Sequence, residues 1–187
     1  DGGMVSGGFG LGMIQKTIGS DWDAVDDFQN DPSIPDNGAQ DLGFDMDFGL
    51  YYTIPKKLYV GLSMTHVTAS ELAQAEGPSI NTGQPIDFGY GVARHFYIMG
   101  GYHYDINPDF SLQPNVFIKT DAVSTTFDLG AIVEYQERFW GGITYRLQDA
   151  IAPMAGVNLQ MPGNGLTGGT LRVGYSYDVT TSELRNN

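Results

Sequence analysis

Leu42-Gly43-Phe44-Asp45-Met46-Asp47-Phe48-Gly49-Leu50-Tyr51-Tyr52-Thr53 decides the fold. Leu42, Phe44, Met46, Phe48, Leu50 and Tyr52 share one parity, and Gly43, Asp45, Asp47, Gly49, Tyr51 and Thr53 the other. A 3.6-residue helix would scatter these two sets around its circumference, whereas an extended strand sorts them onto two faces. Ile54-Pro55-Lys56-Lys57 then reads as a turn, with Pro fixing its first backbone angle. The chain returns through Leu58, Val60, Leu62 and Met64 on one face and Tyr59, Gly61, Ser63 and Thr65 on the other.

The same alternation runs outward in both directions. Upstream, Val5, Phe9, Leu11 and Met13 oppose Ser6, Gly8, Gly10 and Gly12. Downstream it recurs over 96–106, 110–119, 127–135, 139–148, 151–159 and 171–178. The pattern predicts roughly nine strands of about ten residues, the length of a tilted membrane-crossing strand, against about 5–6 in soluble domains. Short turns are expected at 54–57, 107–109, 136–138 and 149–150. Longer polar loops are expected at about 15–40, 69–86 and 161–168, with an intermediate link at 120–124. Tight turns on one side and long loops on the other are typical of outer-membrane barrels.

Composition agrees with an all-β chain. Glycine is 26 of 187 residues and charged residues are 17%, which disfavours both a helical bundle and a disordered acidic tail. With no cysteine there is no disulfide framework and no thiolate chemistry. The net charge of −13 provides no basic stripe for nucleic acid. No apolar run is long enough for a transmembrane helix, which leaves crossing by strands open.

Alternation alone does not say which face is inside. One reading is an antiparallel transmembrane β-barrel with its Phe, Leu, Ile and Val rows in lipid and a wet, polar lumen. Tyr52, Tyr104, Tyr135 and Tyr177 near strand ends would then form an interfacial girdle. The other reading is a soluble sandwich or lipocalin-like barrel with the apolar face inward. In the first, Asp45, Asp47, Arg146, Arg172 and Asp178 are candidate lumenal polar residues, more readily charge pairs than a ligand site. Asp21, Asp23, Asp26, Asp27 and Asp31 fall in the long 15–40 loop and are candidate partner-loop residues. Their spacing does not match an EF-hand. His95 and His103 share parity but lie about 26 Å apart at about 3.3 Å per residue, too far for one ion. No catalytic, cofactor or metal residue is assigned.

Five strings in order resemble one family: 58–66 (LYVGLSMTH), 93–102 (ARHFYIMGGY), 112–119 (LQPNVFIK), 140–146 (WGGITYR) and 172–182 (RVGYSYDVTTS). Together with Asp31-Pro32, they resemble the PorP/SprF outer-membrane proteins of the type IX secretion system of Bacteroidota. The resemblance implies a non-enzymatic barrel in the bacterial outer membrane, larger than the strands counted here. It implies a role in type IX secretion and gliding motility, with no cofactor. The implied partners are a secreted surface protein or adhesin bearing a C-terminal sorting domain, other components of the system, and the lipid bilayer. On this reading residues 1–187 are a single barrel segment, and N-terminal strands and a last strand are expected beyond it. A passive porin is the alternative function.

Overall fold

The computed structural model describes residues 2–19, 39–69, 71–78, 85–161, 163 and 169–181. The strands are β1 (Met4–Ile18), β2 (Ala39–Ile54), β3 (Leu58–Thr65), β4 (Glu71–Pro78), β5 (Pro85–Gly91), β6 (His95–Tyr102) and β7 (Tyr104–Asp105), then β8 (Phe110–Thr120), β9 (Thr125–Tyr135), β10 (Phe139–Arg146), β11 (Ala150–Met161), β12 (Gly169–Ser176) and β13 (Val179–Thr180). The fold is all-β. Among the described residues no helix is long and apolar enough to cross a membrane, which says nothing of crossing by strands. One 11-stranded sheet follows the order β1-β2-β3-β6-β8-β9-β10-β11-β12, with β7 on β8 and β13 on β11. Its main path therefore has the nine strands that the alternation predicts. The order ends at β1 and β12 without closing on itself among the described residues, as in a β-barrel segment.

The expected loop over 69–86 is corrected. β4 and β5 form an antiparallel pair of their own, from Glu71↔Gly91 to Pro78↔Pro85, with a register shift between Leu72 and Ala75. The run is short and Pro-flanked, so its alternation is too brief to read as a strand.

Contacts divide the chain into two compact units: Asp1–Gly7, Gly49–Ser63 and Phe96–Asn187, and Gly8–Phe48 with Met64–His95. In the first unit the ladders are regular. β8 and β9 pair without a break from Phe110↔Tyr135 to Thr120↔Thr125, and β9, β10 and β11 continue in register. Asn107 Oδ1 accepts from the backbone N–H groups of Asp109 and Phe110 at 2.9 Å each, which closes the turn into β8. Asp121 Oδ1 does the same for Val123 and Ser124 at 3.0 and 2.6 Å. Between β9 and β10, Gln136 and Glu137 sit at φ 51° and 54°, and Arg138 N donates to Tyr135 O at 3.0 Å. Two consecutive left-handed residues make the hairpin turn whose twist suits the flanking strands, here without glycine.

Three connections gather at one end of this unit. Lys57 O accepts from His103 N at 2.7 Å, Asp109 O from Gln136 N at 2.7 Å, and Lys56 Nζ pairs with Glu137 at 3.0 Å. That hydrogen bond holds the Lys56 ammonium above its ordinary value, an effect lost once the pH rises through the raised value. The link 121–124 and the short turn 147–149 lie at the opposite end of the same unit, so the tight turns are not confined to one side.

The exposed face is the apolar one. Phe44, Phe48, Leu129 and Val173 are 50, 51, 51 and 48% exposed, while Asp45 is 8% exposed. Among the described residues Ala150 is the sole fully buried hydrophobic side chain. A soluble sandwich would bury these rows and expose Asp45. Large side chains on the polar face instead lie over glycines of neighbouring strands. Trp140 stands opposite Gly156, which stands opposite Gly174, and the indole covers both. Tyr59 covers Gly101 in the same way. A Cβ at Gly156 or Gly174 would collide with the indole, so glycine is required there.

Gly174→Val is expected to expel the Trp140 ring and cost about 1–3 kcal/mol by overpacking. A Trp22→Phe background leaves one indole to follow. The emission shift and the unfolding midpoint in detergent report the displacement, and an unchanged pair of values would refute the packing.

Candidate functional site

Arg146 organises the polar face of the first unit. The ladder sets it directly opposite Asp128 on β9 and Ala150 on β11. Its Nε donates to Asp128 Oδ1 at 3.1 Å and its Nη1 to Asp149 Oδ2 at 3.3 Å, and Asp178 Oδ2 lies 4.0 Å from Nη1. One planar fork thus holds three carboxylates from a strand, a turn and the segment after β12, a geometry that a lysine point charge cannot copy. Of the predicted lumenal residues, this brings Arg146 and Asp178 together. Arg172 lies apart and stacks its guanidinium 4.4 Å from the centroid of the Trp140 ring. Its partner is an aromatic face that strand parity alone does not reveal.

A second polar group surrounds Glu134, which accepts from Gln113 Nε2 at 3.2 Å and from Asn158 Nδ2. Asn158 Nδ2 also donates to Glu137 O at 3.0 Å. These residues border a cavity of about 380 Å³ whose wall also includes Lys56, Asp109 and Thr170. His103, Asp105 and Ser111 line it too. His103 Nε2 bonds Asp105 Oδ1 at 3.0 Å, and Ser111 stands opposite Asp105 in the ladder. The Ser111 hydroxyl makes no hydrogen bond to His103, and the Asp105 carboxylate is largely exposed. The nucleophile–base contact that defines a catalytic triad is missing from this trio.

The second unit holds the other two predicted lumenal residues, Asp45 and Asp47, and adds a third group. His66 Nδ1 lies 2.9 Å from Asp45 Oδ2, and His66 N donates to Asp47 Oδ1 at 3.2 Å. Thr68 Oγ1 donates to Phe44 O at 2.8 Å and lies 3.4 Å from Asp45 Oδ1. One ligand atom from each of Asp45, Asp47 and His66 falls within 4.8 Å of the others, a spread that could hold a metal ion. The His95 ring stands edge-on to His66, with centroids 6.1 Å apart. The sequence hides this cluster. By parity His66 belongs with the apolar row of Leu58, Val60, Leu62 and Met64. β3 ends at Thr65, and His66, at a left-handed φ of 56°, opens a turn in which Ala69 N donates to His66 O at 3.0 Å while Val67 N donates to Met46 O at 2.8 Å. Leaving the strand there takes the imidazole off the apolar row and sets it beside the acids. Asp21, Asp23, Asp26, Asp27 and Asp31 lie outside the described residues.

Removing the Arg146 fork leaves three carboxylates facing one another. Arg146→Ala is expected to lower stability by about 1–3 kcal/mol, with Arg146→Lys recovering only part. A double-mutant cycle with Asp128→Asn should give a coupling of about 1 kcal/mol, limited by the partial exposure of the arginine. Zero coupling in denaturant unfolding would dissolve the network.

No curated protein and no solved structure matches the chain. One family model does, described as type IX secretion system membrane protein PorP/SprF, and it covers residues 1–187. The exposed apolar rows and the paired charges behind them are what a strand-built membrane protein requires. The chain belongs to the PorP/SprF family of type IX secretion system membrane proteins.

Proposed function

We propose that this protein is a non-catalytic outer-membrane β-barrel that receives or anchors a secreted surface protein, such as an adhesin, through its C-terminal sorting domain. The observation that carries the membrane part is the inverted surface, with apolar rows exposed while Asp45 is buried and Asp128 and Arg146 are half-buried on the opposite face. On β9 the row from Phe127 to Tyr135 runs about 26 Å at about 3.3 Å per residue, or about 20 Å of membrane depth at the usual tilt. Its ends are aromatic and its middle aliphatic, as interfacial girdles require. In this proposal the 187 residues are one barrel segment, and strands beyond β1 and β12 complete the wall, because open edges cannot stand in hydrocarbon. Asp45, Asp47, Arg146, Arg172 and Asp178 then face the lumen. The run Asp21, Asp23, Asp26, Asp27 and Asp31 meets the partner, since connections rather than lipid-committed strands are free to bind.

Two measurements test the two halves. The chain has no cysteine, so Leu129→Cys and Asn115→Cys each place one fluorescent label. Brominated acyl chains should quench the label at 129 strongly and that at 115 weakly; equal quenching would overturn the face assignment. For the partner, neutralising the five acids to Asn should reduce co-purification of the sorting domain from solubilised membranes by at least tenfold. Unchanged capture would remove the loop from the site, and steady ion conductance of the complete protein alone would favour a porin.

A further inference from the structure

We propose that Asp45, Asp47 and His66 form a binding site for one divalent transition-metal ion of the zinc type, placed where β2 and the chain after β3 meet in the second unit. The proposal does not depend on the secretion role, and its test reads metal directly. It starts from donor chemistry. Asp45 and Asp47 are two apart on one strand, so both carboxylates leave the same face. The turn that His66 opens after β3 sets an imidazole beside them, and one donor atom from each of the three lies within 4.8 Å of the others.

The distances suit a small ion. Zinc bonds nitrogen and carboxylate oxygen at about 2.0–2.2 Å, which sets neighbouring donors of a tetrahedron about 3.3 Å apart. The Asp45 Oδ2–His66 Nδ1 separation of 2.9 Å is close to that edge. A metal ion entering there replaces the hydrogen bond: the Nδ1 proton moves to Nε2 and the freed Nδ1 lone pair turns to the ion. With a neutral imidazole the donors carry two negative charges, which a divalent ion cancels. The nitrogen donor selects against calcium and magnesium, which take all-oxygen shells. Three protein donors leave a fourth position for water or for an outside ligand.

The surroundings support the first donors. Asp45 is almost fully buried, and the Thr68 hydroxyl lies 3.4 Å from its second oxygen, the kind of outer contact that fixes a metal-binding carboxylate. Arg94 Nε donates to Val67 O at 3.0 Å and ties down the backbone that follows His66. His95 stands beside the His66 ring, and its Nδ1 is bonded to Ala93 O at 3.0 Å.

The complete protein, purified in detergent and stripped with a chelator, is titrated with zinc and its metal content measured after dialysis. One equivalent per chain is expected, with His66→Gln and Asp47→Asn each weakening binding at least tenfold and Glu137→Gln leaving it unchanged. Heat-modifiable migration on gels confirms that the variants are folded. Cobalt added to the unmodified protein supplies a readout that needs no variant: a visible absorption band of mixed nitrogen–oxygen ligation, removed by zinc and not by calcium. Zinc binding that survives both substitutions, or that calcium displaces equally well, would overturn the site. So would the absence of a cobalt band.

Discussion

The rest of the structure depends on one inversion: the exposed side chains are the apolar ones. In a soluble antiparallel sheet charges face water and need no partners, and surface pairs contribute little. Here the charges sit on the half-buried face, where an unmatched carboxylate is costly. The polar face is therefore largely paired, with Trp140 Nε1 and Asn158 Oδ1 the buried atoms left without a hydrogen bond among the described residues. Arg146 holds Asp128, Asp149 and Asp178, Glu134 takes Gln113 and Asn158, Asp45 takes His66, and Arg172 lies on Trp140. These arrangements differ in chemistry but answer the same demand.

Much of this was legible in the sequence because strand parity is a local property. Phe44 against Asp45, and Leu129 against Asp128, separate by counting, and the nine-strand path follows. Parity stops at the single strand. It does not say that Arg146 faces Asp128, which depends on the register between β9 and β10, nor that Trp140 spans Gly156 and Gly174 across two ladders. It also fails wherever the backbone leaves the extended region. His66 counts as apolar-facing until its left-handed φ turns it, whereas the turn at 136–138 falls where the alternation breaks and is found there, without a glycine. The pairing of β4 with β5 is not legible because each strand alternates over only a few residues and meets the link between them at a proline, Pro78 or Pro85.

The family assignment and the geometry constrain each other. The match covers all 187 residues and names a membrane component, and the exposed rows of Phe, Leu, Ile and Val supply the physical reason that the chain needs a membrane. Neither fact alone separates a lipid-facing sheet from one awaiting a protein partner on its apolar side. The aromatic–aliphatic–aromatic order along β9 favours lipid. Phe127 and Tyr135 flank Leu129, Ala131 and Val133; on β10 Phe139 stands opposite Tyr135, while Tyr145 stands opposite Leu129, one same-face step inside Phe127. A protein interface has no reason to place rings at both ends of an aliphatic row, whereas a bilayer has two headgroup zones that favour them.

The largely paired polar face also bears on how such a wall would serve secretion. Charges bound to one another are poor stations for a passing ion, because binding it means breaking an existing pair. Arg146 is committed to three acids and Arg172 to an indole, and the bulk of Trp140 and Tyr59 is laid flat over glycines rather than reaching away from the strand. That construction favours a stiff wall over an adaptable binding surface. The turn that begins at His66 is a different kind of place: there β3 gives way to a convergent set of donors, because a chain that leaves its ladder is free to aim its side chains.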